Sequence, residues 1–140
     1  MVEVTIDLTE DEFKELNMAF PQSMQSAKVG ERAIALVRIY FKKKYPGCTF
    51  PVPQRGADLK VQHNLGSEQL EVKGTEASDI AWAKIKVSST QSHDLLQGGM
   101  PLYRVASVYG RHPRIFIMTV STDFEMVPEP RWSLRPRRNK

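Results

Sequence analysis

The chain has 140 residues, 41% of them apolar and 26% charged, enough for one domain with a real core. No apolar run approaches a membrane span, and the acidic, alternating start Met1-Val2-Glu3-Val4-Thr5-Ile6-Asp7 is unlike a signal peptide. One cysteine, Cys48, excludes an internal disulfide and fits a reducing compartment, so a cytoplasmic protein with no membrane partner is expected.

The net charge of +4 is unevenly spread. Residues 127–140 hold Arg131, Arg135, Arg137, Arg138 and Lys140 against Glu129 alone. Residues 1–15 are acidic, and the stretch from 16 to 126 is basic. A basic body with a more basic tail suits a polyanionic partner, although many proteins with no such partner share that charge.

Val2, Val4, Ile6 and Leu8 alternate with polar residues and predict a strand or extended arm. Thr9-Glu10-Asp11-Glu12 is a capping box that starts a short helix running to about Ala19, and Pro21 ends it. A polar linker follows. From Ser26 to Lys44, Ile34, Val37, Phe41 and Tyr45 recur at helical spacing. Ala33, Leu36 and Tyr40 widen that face, so the helix is expected to be largely buried. Lys42, Lys43 and Lys44 favour its C-terminal end, and Pro46-Gly47 stops it.

Cys48 to Val52 is expected as a first strand. A β-hairpin follows, with arms Ala57–Gln62 and Gln69–Gly74 around the polar turn His63 to Glu68. Ala83, Ile85 and Val87 alternate with Trp82, Lys84 and Lys86, predicting another strand. Ser88-Ser89-Thr90-Gln91 is expected to cap a helix that ends at Gly98-Gly99. Strands are expected over Leu102–Tyr109 and Arg114–Val120, with Gly110-Arg111-His112-Pro113 as the turn. The segment 127–140 has three prolines and no apolar period, which predicts an extended tail. The sum is an α/β sandwich with a mixed central sheet flanked by helices.

The hairpin carries the chemistry. Side chains on a strand alternate faces, so Asp58, Glu71 and Lys73 share one face while Leu59, Val61, Leu70 and Val72 share the other. Two carboxylates converging with one lysine suit a hard divalent ion and an activated water. A Glu-x-Lys triplet alone is more often a solvated strand face. Asp58 upstream, the intervening hairpin and Gly74 directly after raise its significance. No Cys/His zinc spacing, glycine-rich phosphate loop or Gly-x-Ser-x-Gly elbow competes for the role. His63 and His112 are expected as loop residues facing solvent, and Cys48 as a small buried apolar group. His93, on the first turn of its helix, is a weak candidate for phosphate contact.

The order of a long helix with Glu31, then Gly56-Ala57-Asp58, then Glu71-Val72-Lys73-Gly74-Thr75, then a helix opening near Gln91, resembles the PD-(D/E)XK nuclease superfamily. The resemblance covers roughly residues 26–120 and is nearest to the Mrr-like group and the nuclease-like domain at the C-terminus of the NO VEIN protein. It implies a restriction-endonuclease-like fold over residues 26–126, after an N-terminal arm and helix in 1–25 and before the tail 127–140. It implies Asp58 and Glu71 as ligands of Mg²⁺ or Mn²⁺ with the carbonyl of Val72, and Lys73 as the lysine that orients water. Glu31 and Gln91 match further positions of some members. Their plainer readings are a surface glutamate paired with Lys28 or Arg38, and a capping residue partnered with Ser88. Ala57 stands where many members have proline. The expected function is a metal-dependent DNA endonuclease in restriction or DNA processing. A Holliday-junction resolvase-like dimer and a catalytically silent DNA- or protein-binding module are the alternatives. A homodimer or partner protein would supply sequence reading.

Overall fold

A computed structural model describes residues 1–130 and 132–137. Among these the chain forms a mixed α/β domain of five strands and three α-helices. They are β1 (Val2–Thr5), α1 (Glu10–Ala19), α2 (Ser26–Lys44), β2 (Leu59–His63), β3 (Gly66–Gly74), α3 (Thr90–Gln97), β4 (Leu102–Ala106) and β5 (Arg114–Met118). The sheet order is β1-β5-β4-β3-β2. Only β3 and β4 run parallel, and α3 forms the crossover between them. No helix among the described residues is long and apolar enough to cross a membrane.

Alternation along the strands divides the core in two. Leu59, Val61, Leu70, Val72, Tyr103, Val105 and Ile115 face the stripe Ala33, Leu36, Val37 and Phe41 of α2. On the opposite face Leu102, Ala106, Phe116 and Met118 pack with Leu96 of α3. Glu71 and Lys73 register with Leu102 and Arg104, so they belong to the α3 face. The N-terminal residues share the first core: β1 adds to β5, and Ile6, Leu8 and Leu16 are buried with α2.

The capping box on α1 forms as its spacing predicts, with Thr9 Oγ1 accepting from Glu12 N–H and Glu12 accepting from Thr9 N–H. Two buried arginines tie the loops. Arg32 of α2 donates through Nε to the Val108 carbonyl at 2.7 Å and through Nη1 to the Phe20 carbonyl and Asn17. Arg104 donates to the carbonyls of Ile80, Gly74 and Ala81. Neither faces a carboxylate, so each is held by carbonyl dipoles, and burial lowers both pKa values.

Several expected elements differ. Cys48–Val52 is not a strand; Thr49 alone bridges to Gln62. Pro51 and Pro53 cannot donate to a ladder, which explains the lost strand. The stretch 82–87 is not a strand either. Trp82–Lys84 is a 3-10 turn, entered through Ala81 in the left-handed region at φ 50°. Its alternation of Lys and apolar residues comes from Ile85 and Val87 dipping singly onto the second core. The hairpin turn is also tighter, since β3 already begins at Gly66. In the tail, 132–137 carry no regular structure, while Arg131 and 138–140 lie outside the described residues.

The seam between α2 and β3 gives a direct packing test. A Cβ on Gly74 would lie 2.7 Å from the Ala33 Cβ and 3.2 Å from the Val29 carbonyl, whereas one on Gly30, in the same helix, meets nothing within 4 Å. Gly74→Ala should therefore destabilise by about 1–3 kcal/mol through overpacking. Gly30→Ala should stabilise by about 0.5–1 kcal/mol through helix propensity. Urea unfolding of both variants checks the pair; equal midpoints would contradict this seam.

Candidate active site

Hairpin register brings the two acids together. Leu59 pairs with Leu70, so Asp58, one residue earlier, stands opposite Glu71. Asp58 N–H donates to the Leu70 carbonyl at 3.0 Å. Its Oδ2 accepts from the Val72 N–H at 2.9 Å, which fixes the carboxyl at the end of the ladder. N–H and C=O of one strand residue point to the same edge. The Val72 carbonyl is thus directed to the side where Asp58 sits, while Glu71 and Thr75 use their N–H groups toward the β4 side.

Glu71 is 2% exposed, an unusual burial for a carboxyl group. Its carboxyl group faces Asp58 across the hairpin and lies close to Ser92, and Lys73 lies near enough to act on its charge. Burial, then the facing Asp58, drives its pKa from the ordinary 4.5 to about 8, against the opposing pull of Lys73 and Ser92. At neutral pH Glu71 therefore holds its proton. Lys73, half-buried, stands one turn of the pleat further along the same face.

The loop before Asp58 is clamped to α3. Gly56 has φ +99°, and a Cβ there would lie 2.8 Å from Gln91 main-chain carbon. Only glycine meets both demands. Ser92 Oγ donates to the Gly56 carbonyl at 2.8 Å. The cap of α3 is Ser89, whose Oγ accepts from the Ser92 N–H at 3.1 Å, rather than a Ser88–Gln91 partnership. Thus Ser92 connects the helix start to the Asp58 loop and lies close to Glu71. Sequence reasoning passed over it because serine near a helix start is ordinary capping chemistry.

The structure therefore gathers Asp58, Glu71, Val72 and Lys73, with Gln91 alongside through its main chain. It does not gather Glu31. That residue lies across α2 from the buried stripe, 54% exposed, and its Oε2 is 3.8 Å from Lys28 Nζ. The plainer reading of Glu31 accounts for this placement. His93 is exposed beside Asp94, and His112 pairs with Asp7 on the surface. His63 is not a solvent-facing loop residue. Its side chain is 6% exposed and stacks on Tyr45 with centroids 3.9 Å apart. Both ring nitrogens are engaged, by Glu68 and by the Leu65 N–H. Cys48 is half-buried against the first core.

Among the described residues no group of three or more His, Cys, Asp and Glu side chains could hold a metal. The pair with the Val72 carbonyl is the fitting donor set: few carboxylates, oxygen only, which suits an ion that retains water. A buried carboxyl group whose pKa is raised by burial and by a facing carboxyl group marks a site short of positive charge. No protein-family model, curated protein or solved structure matches this chain.

Because folding raises the Glu71 pKa, its contribution is favourable below about pH 4.5 and is lost as pH rises through about 8. Glu71→Gln removes that loss. In chelator, the variant should melt several degrees above the wild type at about pH 8–9 and close to it near pH 5, the direction following from linkage. Thermal melts across that range check this; parallel profiles would contradict the buried, protonated Glu71.

Proposed function

We propose that this chain is a metal-dependent nuclease hydrolysing phosphodiester bonds, most consistent with DNA as substrate. The observation that carries the reading is the Asp58–Glu71 pair, held face to face on the α3 side of the sheet with Lys73 on the same strand face. Structural ion-pair positions rarely bury a carboxyl group against a second one, because the arrangement costs stability; sites that handle a cation do so. The resemblance to the PD-(D/E)XK superfamily supports the same reading through the same residues.

Asp58, Glu71 and the Val72 carbonyl would hold Mg²⁺, or Mn²⁺ in its place. When bound, the ion supplies positive charge to the phosphoryl oxygens and lowers the pKa of water. The chain's own residues supply the rest. Asp58 is oriented by the Val72 N–H, which bonds one of its two oxygens. Glu71 would release its proton to solvent on holding the cation. Lys73 orients the attacking water and stabilises negative charge on the phosphorane-like transition state. Burial of Glu71 keeps these interactions strong, because its surroundings are poorly polarisable.

Lys73→Ala should lower cleavage of DNA by at least about 100-fold, with folding and metal binding retained, because the lysine acts on the chemical step. Asp58→Asn should weaken Mg²⁺ binding in calorimetry, since an amide loses the formal charge that holds a hard cation. Linear duplex, single-stranded and four-way-junction substrates are to be compared with Mg²⁺ and Mn²⁺. Junction-only cutting would favour a resolvase. Wild-type rates in Lys73→Ala would remove the lysine from the mechanism, and no cutting of any substrate would favour a silent binding module.

A further inference from the structure

The aromatic residues divide sharply. Every Phe and Tyr is buried or half-buried, yet the chain's two tryptophans, the residues with most surface to hide, are 49% and 92% exposed at Trp82 and Trp132. Trp82 lines one feature of the surface, and Trp132 follows it in the chain. An open groove of about 800 Å³ runs between the turn at Trp82, helix α3 and the strap 124–130. Its apolar lining includes Ile85, Val87, Leu96 and Leu102, and Trp82 stands at its edge. Leu102 registers opposite Glu71 on the neighbouring strand, so the groove floor lies one strand spacing from the carboxylate pair.

The strap leaves the groove at Pro130, and Trp132 follows two residues later. Around Trp132 the sequence Arg131-Trp132-Ser133-Leu134-Arg135-Pro136-Arg137-Arg138 interleaves guanidinium groups with the indole. Trp132, Leu134, Arg135 and Arg137 are exposed, in a stretch with no regular structure. On the groove's other wall Lys86 is exposed and reaches Glu129 of the strap at 2.8 Å, and Lys84 is exposed two residues before it. The bridge is solvent-accessible, so it holds the strap weakly.

We propose that this groove and tail bind an unpaired nucleic-acid strand, with Trp82 and Trp132 as stacking platforms and the tail arginines on its phosphates. The proposal deepens the nuclease reading and rests on it for the strand's route to Glu71. Unpaired bases expose the faces that an indole can stack on, and duplex bases do not. The groove's volume is that of a small-molecule pocket, sufficient for a splayed base. Charge complementarity favours a polyanion, since the tail concentrates five basic residues against Glu129. A flat aromatic ring set among arginines serves stacking and phosphate contact together, which a purely electrostatic clamp would not need.

The test uses the full chain in chelator, so that no cutting occurs, with tryptophan fluorescence as readout. The probes are oligo-dT, a duplex of equal length and anionic phosphatidylserine vesicles. Oligo-dT should quench the fluorescence and bind more tightly than duplex. Trp132→Ala and Trp82→Ala should each weaken oligo-dT binding about tenfold, the scale of one lost base stack, while Trp132→Phe retains most of it. Arg135→Ala with Arg137→Ala should flatten the salt dependence by about 1.4 in log–log slope, two single-strand phosphate contacts. Equal affinity for duplex and oligo-dT, binding to vesicles alone, or Trp132→Ala and Trp82→Ala binding as the wild type does would each overturn the proposal. Normal oligo-dT binding by a protein that cuts nothing with Mg²⁺ would sustain this strand site and overturn the nuclease reading alone.

Discussion

Two carboxyl groups placed opposite each other at the end of a β-hairpin set the terms for the rest of this molecule. The register that pairs Leu59 with Leu70 leaves no choice about Asp58 and Glu71. Two facing carboxylates repel each other when both are charged, and burial of Glu71 adds to that cost. The Asp58–Val72 hydrogen bond and the nearby Lys73 offset part of it. The remainder is expressed as a proton held on Glu71. A fold that keeps such an arrangement on its α3 face, while packing the other face with Leu59, Val61, Leu70 and Val72, spends stability on one side and recovers it on the other.

The surrounding structure holds the pair from three directions. The helix α2 presses on the back of β3, with Gly74 allowing the close approach to Ala33. The start of α3 clamps the loop before Asp58 through Gly56 and Ser92. Arg104 secures the chain that leaves β3 by bonding three of its carbonyls. These devices restrict the geometry without touching the carboxylates' outward oxygens. Rigid support with an under-neutralised centre is what a cation site requires before the cation arrives.

Much of this was legible in the sequence, and the reasons are specific. Period-2 alternation in Leu59-Lys60-Val61 and Leu70-Glu71-Val72-Lys73 gave both the hairpin and the shared face, because one face is fully buried and register cannot slip. Helical spacing from Ile34 to Phe41 placed α2, and Thr9 with Glu12 placed the start of α1. The same rule misled at Trp82–Val87, where a short alternation reports two residues touching a core and no ladder partner is available. His63 was misread for a similar reason: its burial comes from Tyr45, eighteen positions away, and local polarity does not report it. Glu31 and Gln91 show the limit of position-matching. Helical phase puts Glu31 away from the core stripe, a fact available from its offset to Ala33, whereas Gln91's place beside Gly56 needs the tertiary fold.

The account stands on a divalent cation occupying the space between Asp58, Glu71 and the Val72 carbonyl. Crystals of the full chain grown with Mn²⁺, with anomalous scattering recorded above and below the manganese edge, test this most directly. The account predicts one strong anomalous peak about 2.1–2.3 Å from a carboxylate oxygen of each acid and from the Val72 carbonyl, distances typical of hard-cation–oxygen bonds. A pair left without a peak at saturating Mn²⁺ would contradict it.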